Sequence, residues 1–125
     1  MITPGANTSL TFVVDEASTA ITLGSGDVPV LGTPKVVALC EEAAVAAIGG
    51  RLASGLTTVG THISLDHTAP SVVGSTIVAT ATVVSADTRS IEFAVEVAQA
   101  GGTVAEGTHR RAIVNRDRFL NRLLG

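Results

Sequence analysis

The chain is short of aromatic residues, of cysteine and of positive charge. Its 125 residues include no tryptophan or tyrosine and three phenylalanines, and the formal net charge is −3. Proteins that bind nucleic acid place positive charge against phosphates and aromatic side chains against bases. We therefore expect no nucleic-acid partner.

Cys40 is the single cysteine, so no disulfide can form within the chain and nothing suggests an oxidising compartment. The longest apolar runs fall far short of the ~20 residues that a membrane-spanning helix needs. The N-terminus has neither the charged nor the apolar region of a signal peptide. These features predict a cytoplasmic protein without a membrane partner. The length predicts one domain, residues 1–125.

The stretch Gly32–Gly50 is predicted to be one long helix. Thr33 is predicted as its N-cap, with Pro34 at the first helical position. Gly49 and Gly50 can supply the positive φ that often ends a helix. Nearly every position between these ends is apolar or alanine, which predicts a helix buried on all sides.

The rest of the chain is rich in strand patterns. One strand is predicted before the helix and four after it: Thr8–Asp15, Thr57–His67, Ser75–Ala86, the stretch carrying Ile91, Phe93, Val95 and Val97, and Thr103–Asn115. The segment Glu16–Leu31 is predicted to be a loop or lid, and Asn115 can cap a short C-terminal helix. Strands gathered after one helix predict an α+β protein with an antiparallel sheet.

A sheet wrapped around one long buried helix is the hotdog fold, which this pattern favours. A cone-shaped α+β barrel has a similar composition. It ranks second, because it usually needs more than one helix ahead of the sheet.

Glu41 and Glu42 stand out in the apolar helix, because neither has Lys or Arg three or four residues away. Glu41 lies on the more apolar helix face. A buried carboxylate has a raised pKa and can act as base or nucleophile. Glu42 is expected to face solvent or a dimer seam.

Three further positions are candidates. His67 shares strand parity with apolar residues, so it is either a core histidine with its hydrogen bonds satisfied or a site residue at a strand end. His62 has the opposite parity and is expected to be exposed. Gly74 is either a turn glycine or a point of close approach to a ligand. Of the tandem Arg110 and Arg111, one side chain must point inward, because adjacent strand residues face opposite sides.

The residues give less support to a metal site or a cysteine nucleophile. His62, Asp66, His67 and His109 match no standard spacing of metal ligands, so no metal is expected. A nucleophilic Cys40 paired with histidine is conceivable, but a mid-helix position favours an inert thiol.

Three stretches together resemble the hotdog-fold thioesterases, and among them the fluoroacetyl-CoA thioesterase-like proteins. They are Gly32-Thr33 through Leu39-Cys40-Glu41, LDHTAPSVVG at 65–74, and EGTHRRAIVNRDRF at 106–119. The resemblance covers about Val28 to Leu120. It implies that Thr33, Glu41 and His67 are catalytic, that Gly74 and Arg111 lie near the substrate, and that the protein is a homodimer, or a dimer of dimers, with sites at the subunit interface.

The expected function is hydrolysis of a short or medium acyl-CoA thioester without a cofactor, since coenzyme A arrives as part of the substrate. The fluoroacetyl-specific enzyme carries aromatic lid residues ahead of its helix, and the corresponding stretch 27–31 has none. The resemblance thus implies thioester hydrolysis without fluoroacetyl selectivity. The alternatives are a non-catalytic binder of acyl-CoA or another small metabolite, and a hydratase, whose Asp–His motif we do not find.

Overall fold

A computed structural model describes residues 2–125 of the chain. In that range one antiparallel sheet contains five strands: β1 Asn7–Val13, β2 Leu56–His67, β3 Thr76–Ala86, β4 Ser90–Gln99 and β5 Gly102–Asn115. Their order in the sheet is β1-β3-β4-β5-β2. The helices are α1 Ala20–Leu23, preceded by a 3₁₀ turn at Glu16–Ser18, then α2 Thr33–Ala47 and α3 Arg116–Leu124. The predicted α+β fold with an antiparallel sheet is confirmed.

The core lies between α2 and the concave face of the sheet. Over residues 76–84 of β3 and 90–97 of β4, every second side chain is buried, as period-2 patterning predicts. The fully buried side chains on both sides of this interface include Val36, Leu39, Ile77, Ile91, Phe93 and Val97. The long helix therefore packs into the sheet as predicted.

Gly32, not Thr33, is the N-cap residue of α2. Its carbonyl oxygen accepts a hydrogen bond from the Val36 N–H at 3.2 Å. A Cβ at residue 32 would lie 3.0 Å from Leu23 Cδ1 and 3.2 Å from Ala20 Cα. These distances are shorter than ordinary van der Waals contacts, so the tight space favours glycine at the cap. The prediction that Thr33 caps the helix is wrong, because helical geometry already begins at Thr33. Thr33 becomes the first helical residue, and its hydroxyl is available for another partner.

Only one side of α2 is buried, so the prediction of burial on all sides is wrong. The sheet covers one side of the helix and leaves an exposed stripe, formed by Pro34, Ala38, Glu42, Val45 and Ala46. At the C-terminal end Ile48 is the C-cap and Gly50 has the predicted positive φ, +73°. No helix within residues 2–125 is both long and apolar enough to cross a membrane.

Strand β2 contains a bulge that changes which residues face the helix. Its pairing with β5 shifts between Gly60 and His62, so the strand contains one extra residue there. Beyond the bulge Ile63 and Leu65 pack against the core, as predicted. Before it the parity is reversed: unbroken alternation would place Val59 and Thr61 on the same side as Ile63 and Leu65, but Gly60 faces α2 instead.

Gly107 on β5 allows the close approach of β2. A methyl group on residue 107 would overlap the Ser64 carbonyl oxygen and lie 3.0 Å from Leu65 Cα. We expect Gly107→Ala to lower the free energy of unfolding by about 1–3 kcal/mol, because backbone must move to accommodate the methyl group. Urea unfolding followed by circular dichroism measures the loss. Thr108→Ala, at the exposed neighbouring position, is the control, and an equal loss in both variants would contradict the steric argument.

Candidate active site

Thr33 and His67 meet at the N-terminus of α2. The Thr33 Oγ1 lies 2.8 Å from His67 Nδ1, a hydrogen-bond distance. The contact joins the first residue of the helix to the last residue of β2. It exists because Gly32 takes the capping position, which turns the Thr33 hydroxyl toward the strand end. Two residues that the sequence singled out separately are thus one hydrogen-bonded pair.

The pair forms part of the wall of an open cavity of about 300 Å³, which we call the Thr33–His67 cleft. Most of the remaining lining is aliphatic, contributed by Ala20, Val28, Val30, Leu31, Ala69 and Pro70. The segment predicted to be a loop or lid supplies the first four of these side chains. The cleft is therefore a mostly apolar recess with a hydroxyl and an imidazole in its wall.

The second nitrogen of His67 has no partner within residues 2–125. Its Nε2 is buried and makes no hydrogen bond there. Orphaned buried polar atoms are uncommon and often mark functional groups. The imidazole thus has one nitrogen held by Thr33 and the other uncommitted.

Glu41 lies in a second polar cluster, under β2 and β5. Its Oε2 is 3.2 Å from Nη1 of Arg111, an ion pair between residues 70 positions apart. The Arg111 side chain is only 9% exposed and that of Glu41 is 42% exposed. Arg111 also donates to Thr58, through Nε to the hydroxyl at 2.9 Å and through Nη2 to the backbone carbonyl at 3.3 Å. As predicted, one of the tandem arginines points inward. It is Arg111, while Arg110 points outward and pairs with Glu92.

His109 contacts the Arg111 side of this ion pair. Its Nδ1 lies 2.7 Å from the His62 carbonyl oxygen and therefore carries the proton. Its Nε2 then presents a lone pair to Arg111 Nη1 at 3.2 Å, and its ring stacks on Phe93. Burial lowers the pKa of His109 below its usual 6.5; the bond to the His62 carbonyl opposes this shift and the Arg111 guanidinium adds to it.

Gly60 leaves the space in which the Glu41 carboxylate lies. A Cβ at residue 60 would overlap Glu41 Oε2 and lie 3.3 Å from Arg111 Nη1. Sequence analysis did not identify Gly60, Thr58 or His109 as site residues. A glycine inside an otherwise β-branched strand was the one signal that could have pointed to a close approach.

The two polar clusters stay separate in one chain. Among residues 2–125 Glu41 makes no hydrogen bond with Thr33 or His67, and its side chain faces a different recess, next to Thr61 and His62. Eight residues of helix separate Thr33 from Glu41, about 12 Å along the axis. One chain therefore carries the predicted residues as a Thr33–His67 pair and a Glu41–Arg111 pair.

Gly74 lies outside both clusters. It has φ +93° in a turn, where its N–H donates to the Val14 carbonyl at 2.8 Å and Ser75 N–H donates to Val72 at 3.0 Å. The positive φ accounts for glycine at this position. Its role near a substrate stays a prediction.

Cys40 is fully buried, and burial together with the neighbouring Glu41 raises its pKa to about 11. At neutral pH the side chain is therefore a thiol rather than a nucleophilic thiolate. The inert role expected for this residue agrees with its surroundings.

Comparison with known proteins shows the family to which the chain belongs. Residues 14–117 match the sequence model of a family described as FlK, fluoroacetyl-CoA-specific thioesterase. The chain belongs to this family. A fluoroacetyl-CoA thioesterase from Streptantibioticus cattleyicolor is 32% identical over 90 residues, which are 72% of this chain and 65% of that enzyme. The match thus spans just under two thirds of the relative's length, and the resemblance noted from the sequence is confirmed.

Solved structures of similar proteins have the same fold. The structure of the fluoroacetyl-CoA thioesterase FlK superposes with a TM-score of 0.91 at 28% identity, over 98% of this chain and 96% of that one. A hot-dog-like protein from Thermanaerovibrio acidaminovorans superposes with a TM-score of 0.88 at 21% identity, over 96% and 89% of the two chains. The predicted hotdog fold is confirmed, and the cone-shaped barrel is set aside.

The lowered pKa of His109 predicts a pH-dependent stability. Between the depressed folded-state pKa and 6.5 the unfolded chain binds a proton at His109 and the folded chain does not, so stability falls as the pH decreases through this window. We expect the free energy of unfolding in urea to be higher at pH 7.5 than at pH 5.5, and the difference to shrink in His109→Gln. An equal pH dependence in both proteins would contradict the assignment.

Proposed function

We propose that this family member hydrolyses the thioester bond of a short or medium acyl-CoA. The observation that carries the proposal is the Thr33–His67 hydrogen bond of 2.8 Å in the wall of an apolar cleft. A hydroxyl and an imidazole placed against an apolar recess suit an acyl group whose carbonyl must be held and attacked. The family match supports the same activity.

The reaction needs a nucleophile, an oxyanion site and a proton path. Water, activated by Glu41, or the Glu41 carboxylate itself attacks the carbonyl carbon. The backbone N–H of Thr33 has no acceptor within the helix and can stabilise the oxyanion, together with the Thr33 hydroxyl. The C–S bond then breaks, and the proton released by the attacking water passes through His67 to the departing CoA sulfur. Where Glu41 itself attacks, this step leaves an acyl–Glu41 anhydride, which water then hydrolyses. The products by either route are a carboxylic acid and free CoA.

A complete site requires two copies of the chain in this proposal. A twofold axis through α2 near residue 37 would bring Thr33 of one copy level with Glu41 of the other, because 37 is midway between them. Ala38 lies at that crossing point on the exposed stripe, and its small side chain allows close approach. The resulting homodimer has two identical sites at one isologous interface.

The free edge of β2 also supports a homodimer. β2 is a 12-residue edge strand that pairs with β5 alone. Long edge strands without lysine or proline are exposed to pairing with another chain, and natural proteins usually protect them. The recess next to Glu41 opens beside this strand. Pairing β2 with its copy would cover the edge and the recess together.

Related proteins indicate the carrier but not the acyl group. A FlK variant, 29% identical to this chain, has been crystallised with fluoroacetate and CoA. We carry over CoA as the carrier, with no cofactor of the protein's own, and propose a cytoplasmic location, where acyl-CoA substrates are made. Fluoroacetyl is not carried over, because the stretch 27–31 has no aromatic side chain.

Substitutions at the three predicted catalytic residues test the proposal. We expect Glu41→Gln and His67→Gln each to lower kcat for acyl-CoA hydrolysis by ~10²–10⁴-fold, because each removes a proton-transfer or nucleophilic group. Thr33→Ala should lower it by about tenfold, the effect of one hydrogen bond. Thiol release from a panel of acyl-CoA substrates measures the rates.

The matched control is Glu96→Gln, which changes an exposed glutamate on β4, away from α2 and β2. This variant should keep the wild-type rate. A wild-type protein that binds acyl-CoA in calorimetry without turnover would instead support the non-catalytic binder.

Mixing two inactive variants tests whether each site draws on two chains. If His67 of one copy works with Glu41 of the other, a Glu41→Gln/His67→Gln heterodimer has one intact site of two. Random mixing makes about half of the dimers heterodimers, so about a quarter of wild-type activity should return. No recovery on mixing, with heterodimers verified by mass, would mean that each site lies within one chain.

Ala38→Arg tests the helix crossing directly. A large charged side chain at the proposed twofold axis should separate the copies, so that the mass in solution falls from twice 12.6 kDa to 12.6 kDa. Ala94→Arg, on the opposite face of the sheet, should stay dimeric. Analytical ultracentrifugation measures the mass, and a monomeric wild type would refute the dimer.

A further inference from the structure

The lining of the Thr33–His67 cleft contains no charged side chain within the described residues 2–125. Apart from Thr33 and His67, its polar side chains are the uncharged Ser25 and Thr68. Asp27, next to Val28 in the exposed part of the loop, has negative charge. A ligand group with its own negative charge would therefore find no cation in this chain's wall and one carboxylate on the adjoining loop. The Glu41 that a second copy would contribute is paired with its own Arg111, so that pair adds no net charge.

The walls of the cleft are held by backbone hydrogen bonds. On one side the Ala20 N–H donates to the Val30 carbonyl at 2.8 Å, and the Leu31 N–H donates to the Ser71 carbonyl at 2.9 Å. On the other side the Thr68 N–H donates to the Val104 carbonyl at 2.8 Å. The aliphatic recess is thus formed before a ligand enters, which is typical of small-molecule sites.

The cleft volume limits the length of the chain that fits. At ~30 Å³ per water-sized group, 300 Å³ holds about ten non-hydrogen atoms. The thioester carbon, oxygen and sulfur and the adjoining carbon of the CoA arm occupy about four of these places, which leaves about six for acyl carbons beyond the carbonyl. Hexanoyl, with five such carbons, fits within this number. Acetyl would fill a small part of the recess, and a dodecanoyl chain would extend well beyond it.

We propose that this cleft binds the acyl group, and that it selects neutral aliphatic chains of about four to six carbons over acyl groups that end in a carboxylate. The inference rests on the proposed thioesterase function and adds the chemical class of its substrate. Aliphatic walls favour each buried methylene, and an unpaired carboxylate loses solvation there without compensation.

Val28 is the specificity-determining position in this proposal. Its side chain is 50% exposed, lines the cleft and takes no part in the hydrophobic core. The neighbours Asp27 and Pro29 are exposed as well. A substitution at residue 28 should therefore change the cleft rim without disturbing the fold.

The first test compares two substrates of equal chain length. Succinyl-CoA and butyryl-CoA both have four acyl carbons, and succinyl has a carboxylate in place of the terminal methyl group. We expect kcat/KM to favour butyryl by at least about tenfold. From acetyl to hexanoyl it should rise by about three- to fourfold per methylene, then fall at dodecanoyl. Equal values for butyryl and succinyl would overturn the inference and leave thioester hydrolysis standing.

The second test adds a cation to the rim. Val28→Arg should raise the succinyl-to-butyryl ratio of kcat/KM by about two- to fivefold, the effect of a partly exposed ion pair. Val84→Arg adds the same charge at an equally exposed valine on β3, outside the cleft lining, and should leave the ratio unchanged. An equal rise in both variants would mean that the ratio reports overall charge and not the cleft.

Binding separates failure of this inference from failure of the proposed function. If the wild-type protein hydrolyses no thioester, hydrolysis fails as its function, and calorimetry with the same two ligands still decides the inference. Tighter binding of butyryl-CoA than of succinyl-CoA, reduced or reversed in Val28→Arg, supports the aliphatic cleft. Equal binding of the two ligands refutes it.

Discussion

The close approach of Gly32 to Ala20 and Leu23 leaves little room for a side chain at the N-cap of α2. A Cβ at residue 32 would be tighter against these neighbours than an ordinary contact, so glycine suits this position and caps the helix with its backbone alone. Thr33 is then free of the capping role and bonds to His67. The cleft depends on the same contact, since Leu31 and Gly32 line it on one side and His67 on the other.

The polar groups are organised by burial as much as by charge. Arg111 is almost fully buried. The free-energy cost of removing its charge from water is offset by contacts with Thr58, Glu41 and a neutral His109. His109 can accept a hydrogen bond from a cation because its own pKa is lowered and its tautomer is set by the His62 carbonyl. The carboxylate of Glu41 is thereby held in one position while remaining open to solvent.

Local patterns were sufficient for much of this structure. The alternation on β3 and β4, the glycines between β4 and β5, and the Asn115 cap of α3 all act over a few residues, and all were predictable. The tandem arginines were equally informative, since adjacent strand residues face opposite sides and one of the two must therefore point inward.

What could not be predicted depends on contacts between distant segments. The Glu41–Arg111 pair joins residues 70 positions apart, and the Gly32 cap depends on the packing of α1. The exposed stripe of α2 is apolar enough to be taken for core, because composition does not reveal which side the sheet leaves uncovered. Thr33 was a candidate by residue type, but its link to His67 required the fold.

The bulge in β2 makes one strand responsible for both polar clusters. Residues before it adjoin Arg111 and Glu41, and the residue at its far end is His67. Deleting a single residue at the bulge would turn the side chains of one half of the strand to the opposite face of the sheet. One polar cluster would then lose its strand residues, while the other kept them. In evolutionary terms this strand tolerates substitution far better than insertion or deletion, so length changes in descendants should accumulate elsewhere.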